Sequence, residues 1–192
     1  MVRSAAQLIR RKGVSGTGLR DVVADADAPR GSLQHYFPGG KDQLVGEALL
    51  FMGGVAGRRV RRALEATPPP GPGGLFALIV DDWRSEFLAQ GFDGGCPLVA
   101  AAADVAAGSD ELRAVIGRAF EEWQESLASS LEVTGVPGPR ATALAVLAIS
   151  ALEGAVVLAR VRRDVGPLDV VVEELAPLLD EAVVKVRRPT PP

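Results

Sequence analysis

Hydrophobic residues recur at three- and four-residue spacing along most of the chain, which is the pattern of amphipathic helices. The first apolar face ends at Gly13 and consists of Val2, Ala5, Leu8 and Ile9. Thr17 has the side chain of a helix N-cap and Pro29 suits the first position of a helix, so each indicates where a further short helix begins. The helices predicted for this region are 2–12, 18–26, 29–36 and 41–66.

The rest of the chain keeps the helical period after a Pro- and Gly-rich stretch at 67–74, which we interpret as a linker or loop. The helices predicted here are 75–90, 97–107, 109–134, 137–163 and 168–187. Because no run alternates with a period of two over a useful length, the sequence predicts an all-α fold.

Two short helices separated by a tight turn, at 18–26 and 29–36, form a helix-turn-helix pattern. We therefore predict a three-helix DNA-binding domain at 1–45. The long helix that begins near Lys41 joins it to a second helical domain at 46–192.

The composition limits the chemistry open to the chain. With 47% hydrophobic and 23% charged residues, the chain lies in the globular range. Cys96 is the only cysteine and His35 the only histidine. These two counts exclude an internal disulfide, a Cys-based zinc site, a multi-histidine metal site and most histidine acid–base chemistry. We therefore expect a protein that is not an enzyme and that uses neither a metal nor a cofactor.

The net charge of −3 conceals an asymmetry along the chain. Residues 1–66 contain 11 Lys and Arg against 6 Asp and Glu, whereas residues 67–192 contain 10 against 18. A basic amino-terminal part suits a polyanion such as nucleic acid. Chance clustering of charges on solvated helix faces accounts for the same counts.

The chain carries no recognisable secretory signal, because its first residues lack an apolar core. Residues 141–159 are nearly all apolar, but Glu153 inside them would cost about 2.5–3.5 kcal/mol near the centre of a bilayer. We predict that this segment is a buried helix, and that the protein is cytoplasmic and does not meet a membrane.

Two stretches, 19–23 (LRDVV) and 29–44 (PRGSLQHYFPGGKDQL), resemble the DNA-binding head of the tetracycline-repressor (TetR) family. The body resembles that family too, with one long connecting helix before an acidic, all-α part. Residues 95–98 (GCPL) with the alanines at 100–103 are similar to the branch that contains the LmrA and YxaF repressors. Asp27, Pro29 and Gln34 depart from the family pattern, which commonly has Gly, Ser and Tyr there. Asp tolerates the left-handed conformation of the glycine that it replaces.

The resemblance implies that the third helix enters the major groove, where Arg pairs with guanine and Gln with adenine. It also implies that Lys41 holds a phosphate at a helix N-terminus. The candidate DNA-contacting residues are Thr17, Arg20, Arg30, Gly31, Ser32, Gln34, His35, Tyr36 and Lys41. The alternative is that these are polar residues on exposed helices and nothing more.

Most aromatic residues lie in the middle of the body, which in the family encloses a small-molecule inducer. The candidate ligand-binding residues are Trp83, Phe87, Phe92, Cys96, Phe120, Trp123 and Leu127. For each aromatic residue, filling of the core is an equally good interpretation. For Cys96 we favour an inert buried thiol over a sensor, because no cationic neighbour is evident in the sequence.

Two charge clusters carry weaker signals. We interpret the arginines of 58–62 as a solvated helix end rather than as further DNA contacts. Asp81, Asp82 and Glu86 read as a solvated helix face, with a cationic ligand as the alternative.

The last two helices carry apolar faces that suggest pairing with a second copy of the chain. The candidate interface residues are Ala145, Ile149, Leu152, Val156, Leu175, Leu178, Leu179 and Val183. The sequence and the resemblance together predict a homodimeric repressor that binds a palindromic DNA operator and is released by a hydrophobic or aromatic inducer. The alternative is a dimeric helical protein that binds small molecules and has no operator function.

Overall fold

A computed structural model describes residues 1–29, 31–105 and 108–183, and every regular element in these ranges is an α-helix. The helices are α1 (Val2–Lys12), α2 (Leu19–Asp25), α3 (Ser32–Tyr36), α4 (Gly40–Ala63), α5 (Pro72–Gln90), α6 (Pro97–Val105), α7 (Asp110–Val133), α8 (Gly138–Arg162) and α9 (Gly166–Glu181). The all-α prediction is confirmed. Helix ends agree with the predicted ones to within one turn where the structure describes them. The predicted ends at 107 and 187 lie outside the described residues, although α9 already ends at Glu181.

The turns around α2 differ in part from the prediction. Thr17 is not the N-cap of α2, because that position is taken by Gly18, and the Thr17 hydroxyl donates to the Gly13 carbonyl at 2.7 Å. Asp27, after α2, has a φ of 47°, the left-handed conformation expected for it. α3 begins at Ser32 rather than at Pro29, so the helix is a single turn and a half long.

The body is built by close crossings of helices. α4 packs along α7 and α5 packs along α9. At Gly53 of α4, a Cβ atom would lie 2.8 Å from the Ala119 carbonyl oxygen, and at Gly73 of α5 it would lie 2.5 Å from the Ala176 carbonyl oxygen. Glycine is therefore required at both crossings, since any side chain would force the helices apart. Gly73 lies in the stretch 67–74 that was predicted to be a loop, and α5 includes its last residues.

α8 is long and apolar enough to cross a membrane by length and composition, but half of its apolar window is buried inside the chain. It packs against α7 and α9. The prediction of a buried helix therefore holds for one side of this segment, whereas its other side is exposed in the single chain.

The packing of α8 corrects the predicted dimer face. Five of the candidate interface residues are buried within a single chain, namely Ala145, Ile149, Leu152, Val156 and Leu179. They cannot form a free surface, because the chain's own helices cover them. Leu175 and Val183 are half-buried, and Leu178 is exposed. The apolar residues that α8 exposes lie on its other side and are Val146, Leu147, Val157, Leu158 and Val161.

Candidate DNA-binding surface and cavity of the body

The short helix α3 exposes three neighbouring polar side chains to solvent. Gln34, His35 and Tyr36 are all exposed, with Tyr36 at 62%. The helix is held in place from below by Phe37, which is buried, and by Leu33, which packs against the same core. This arrangement leaves the side chains after Leu33 free to meet an external surface.

The other candidate residues of the head occupy different positions. Arg20 and Gly31 are exposed and Lys41 is half-buried, whereas Arg30 lies outside the described residues. The Ser32 hydroxyl donates to the Pro29 carbonyl at 2.6 Å. Thr17 is only 3% exposed, and its hydroxyl proton is used within the chain, which removes Thr17 from the predicted DNA contacts.

Gln43 orders the turn between α3 and α4, a role that the sequence analysis missed. Its side-chain oxygen accepts a hydrogen bond from the Gly39 N–H at 2.9 Å, and its amide nitrogen donates to Glu47 at 2.8 Å and to the Tyr36 carbonyl at 3.4 Å. Gln43 thereby sets the position of Lys41 relative to the end of α3.

A carboxylate of α6 holds the turn between α1 and α2. Asp104 accepts a hydrogen bond from the Ser15 N–H at 2.6 Å and another from the Ser15 hydroxyl at 2.7 Å. These two bonds, with a smaller contribution from the charge of Lys41, lower the pKa of the Asp104 carboxyl. The head is therefore tied to the body next to the start of α4.

Arg10 makes the deepest contact between the head and the body. It lies on α1 but is only 7% exposed, because its guanidinium enters the body. Its Nε donates to the Gly95 carbonyl at 2.8 Å, its Nη2 pairs with Glu86, and its guanidinium carbon lies 5.5 Å from the centre of the Trp83 ring. One sequence signal existed for this role: Arg10 lies one turn after Ala6, on the apolar face of α1.

Arg10 also lines a small, partly open cavity of about 40 Å³ in the body. Three of the candidate ligand residues border this cavity: Trp83, Cys96 and Trp123. The other aromatic candidates do not border this cavity. Phe87 stacks on Phe92 at 5.0 Å, and Phe120 stacks on Trp123 at 6.5 Å. Leu127 is buried in the core, and the bordering residues that were not predicted are Arg10, Met52, Val55, Ala56, Arg59, Ile79, Glu86, Pro97 and Leu98.

The charged residues at the cavity pair with one another. Arg59 of α4 lies 3.7 Å from Glu86 and 3.8 Å from Asp82, and Arg62 lies 4.0 Å from Asp82. Arg62 and Asp82 remain largely solvated, as predicted, whereas Arg59 and Glu86 are half-buried and depart from the predicted solvated faces. The arginines at the end of α4 meet the carboxylates of α5, and their charges cancel locally.

Cys96 and Glu153 form a second polar pair, behind the wall of the cavity. Burial, with the nearby carboxyl of Glu153 as a smaller cause, raises the pKa of the Cys96 thiol well above its ordinary value. Burial also raises the pKa of Glu153 to about 7, although the facing Cys96 thiol lowers it slightly. Cys96 is consequently a protonated, buried thiol at neutral pH, which agrees with the interpretation of an inert residue.

Two family descriptions match most of the chain. Residues 2–48 match "Bacterial regulatory proteins, tetR family", and residues 72–174 match "Transcriptional regulator LmrA/YxaF-like, C-terminal domain". The first range covers α1 to α3 and the start of α4, and the second runs from α5 into α9. Both parts of the resemblance seen in the sequence are confirmed.

Relatives and solved structures agree with these matches. An uncharacterised HTH-type transcriptional regulator of Mycobacterium tuberculosis strain H37Rv is 43% identical over 188 residues, covering 93% of this chain and 92% of the relative. The HTH-type regulator YxaF of Bacillus subtilis strain 168 is 28% identical over 179 residues, covering 93% of each chain. The structure of the regulatory protein TetR from Rhodobacter sphaeroides superposes with a TM-score of 0.79 at 21% identity, covering 92% of this chain and 95% of that one.

Proposed function

The chain belongs to the TetR family of helix-turn-helix transcriptional regulators, and we propose that it is a ligand-responsive repressor. In this proposal a head at 1–45 binds operator DNA and a body at 46–192 binds a small molecule and a second copy of the chain. The protein works in the cytoplasm, away from membranes, and entry of a hydrophobic or aromatic inducer releases the DNA.

The exposed end of α3 supports a role in reading DNA. A helix of this kind fits the major groove, where Gln34, His35 and Tyr36 reach base edges. Lys41, in the first turn of α4, and Arg20, exposed on α2, are placed to hold phosphates on either side. In this proposal Ser32 and Gly31 bring the start of α3 close to the DNA backbone.

The outward side of α8 supports dimerisation. Five apolar residues of α8 are exposed in the single chain, and Val170 and Leu178 of α9 are exposed as well. Exposed apolar residues on two neighbouring helices are unfavourable in water, and an isologous four-helix contact with a second copy would cover them. Two-fold symmetry would then present two heads to a palindromic operator.

The position of Arg10 is the main observation that supports the proposed response to a ligand. A cavity of about 40 Å³ is far smaller than the several hundred Å³ that drug-sized ligands occupy, so an inducer has to push its walls apart. One of those walls is the Arg10 side chain, which belongs to the head. An expanding cavity would therefore strain the contacts of Arg10 with Glu86 and Gly95 and shift α1 relative to the body.

The test is a DNA-binding titration with the region upstream of the protein's own gene and with random DNA of equal length. Gln34→Ala should cost roughly 1–3 kcal/mol on the operator and little on random DNA. Lys41→Ala should weaken both and reduce the salt slope by about one unit. Arg113→Ala, which removes an exposed charge of α7, is the matched control and should bind as the wild type does.

A folded Arg30→Ala, Gln34→Ala, Lys41→Ala triple variant with unchanged operator affinity would contradict DNA binding by this head. If the wild type binds no upstream DNA and yet binds small molecules as a dimer, it is a helical ligand-binding protein without operator function. Release of bound operator by a compound that quenches Trp83 or Trp123 would support the complete proposal.

A further inference from the structure

Glu153 is the side chain in the described part of the chain whose buried polar atoms make no hydrogen bond. It lies in the middle of the apolar helix α8 and is only 7% exposed. Within the described residues, neither oxygen of its carboxyl group has a hydrogen-bond partner. The facing Cys96 thiol is a weak donor and does not replace one. A buried carboxyl group without a hydrogen-bond donor lowers the stability of the folded chain. A glutamate at this position therefore indicates a role other than stabilising the core.

The neighbouring cavity gives this carboxyl access to a ligand. Cys96, which touches Glu153, forms part of the cavity wall together with Trp83 and Trp123. The wall is mostly apolar. Glu153 does not itself border the cavity, but a ligand that displaced the wall at Cys96 would come next to its carboxyl group. A hydrogen-bond donor on that ligand would satisfy the carboxyl.

The charges around the cavity favour a cationic donor. Arg10 is paired with Glu86, and Arg59 lies near both Glu86 and Asp82, so the arginines already have carboxylate partners. Glu153 has no counter-charge among the groups that affect it. Once it is ionised, the Glu153 carboxylate is itself an unpaired negative charge, which a positive ligand group would neutralise.

We propose that Glu153 anchors a ligand that has an aromatic or apolar frame and carries a protonated amine or amidine. This inference rests on the proposed ligand response and specifies the chemistry of its inducer. The frame packs between Trp83 and Trp123, where aromatic faces also favour a cation. The ammonium group donates to the Glu153 carboxylate, which then has the partners that the chain does not supply.

The test is a thermal-shift and fluorescence-quenching comparison of matched probes at pH 8. Each probe set shares one ring system and differs in one substituent, as in 2-(aminomethyl)naphthalene, 2-(hydroxymethyl)naphthalene and 2-naphthoate. We expect the wild type to bind the amines at least about tenfold tighter than the alcohols, as a charge-assisted hydrogen bond allows. Glu153→Gln should lose that preference and keep its affinity for the alcohols, and Glu153→Asp should keep part of the preference.

Glu173→Gln, an exposed position on α9, is the matched control and should behave as the wild type does. Circular dichroism and operator binding establish that each variant is folded. Binding of the probes without a preference for amines, or a preference that survives in Glu153→Gln, overturns the role of Glu153 and leaves the proposed ligand site standing. A wild type that no probe of any charge stabilises or quenches overturns the ligand site itself.

Discussion

Arg10 and Gly95 hold each other by two hydrogen bonds that run in opposite directions. The Nε of Arg10 donates to the Gly95 carbonyl at 2.8 Å, and the Gly95 N–H donates to the Arg10 carbonyl at 3.1 Å. One residue is in the last turn of α1 and the other is just before α6, so this pair joins the head to the wall of the cavity. The contacts between the two parts are thus specific bonds as well as apolar packing.

Removal of the Arg10 guanidinium should destabilise the protein markedly. Arg10→Met leaves the Gly95 carbonyl without its side-chain donor and leaves the half-buried Glu86 with only the longer contact to Arg59, so we expect a loss of about 2 kcal/mol in the free energy of unfolding. Arg11→Met changes the exposed neighbour and should shift stability by less than about 0.5 kcal/mol. Urea unfolding followed by circular dichroism measures both, and equal stability of the two variants would exclude a structural role for the Arg10 pair.

Asp104→Ala should loosen the turn between α1 and α2. The Ser15 N–H loses its acceptor at 2.6 Å, so its amide hydrogen should exchange faster with solvent. Because the Ser15 bonds lower the pKa of Asp104 below 3.8, their stabilisation is present at neutral pH and is lost as the pH falls through the lowered pKa. Asp110→Ala, at an exposed position of α7, is the control and should leave exchange at Ser15 unchanged.

Glu153→Gln should change how stability depends on pH. The pKa of Glu153 is raised from 4.5 to about 7, so between these values the folded chain binds more protons than the unfolded chain. Stability therefore falls as the pH rises from 4.5 to 7, by about 3 kcal/mol for this one group. The variant lacks this contribution, and its advantage over the wild type should grow between pH 4.5 and pH 8 in urea titrations. Parallel profiles of the two proteins would contradict the raised pKa.

Val157→Glu should separate the proposed dimer into folded monomers. Val157 is 44% exposed on the outward side of α8, so a glutamate there disturbs an interface between chains and not the core. Leu88→Glu, at an even more exposed position of α5, tests the effect of a new surface charge and should leave the dimer intact. Sedimentation velocity at micromolar concentration distinguishes these outcomes. A wild type that sediments as a monomer would exclude the interface altogether.

Leu152→Glu is expected to behave differently from Val157→Glu. Leu152 is 1% exposed within a single chain, so a charge there disrupts the core of the body. We expect unfolded or insoluble protein instead of a soluble monomer. The contrast between the two variants tests which side of α8 faces the chain's own core.

The order of the helices and several of their ends followed from the sequence, because they depend on local chemistry. Gly13 ends α1 and Pro97 starts α6, and both act through the conformation of their own backbone. The resemblance of residues 29–44 to the family could likewise be recognised from the sequence, because the spacing of its buried residues, such as Leu33 and Phe37, lies within one short segment.

The orientation of α8 and the polar contacts of the cavity were decided by tertiary packing. α8 is apolar on every side, so its periodicity does not indicate which face is buried, and only its packing against α7 and α9 settles the choice. Arg10 and Glu86 are far apart in sequence and belong to helices that look amphipathic on their own. Their pairing depends on where α1 meets α5. The sequence of one helix does not indicate which charged residue of another helix will lie next to it in the folded chain.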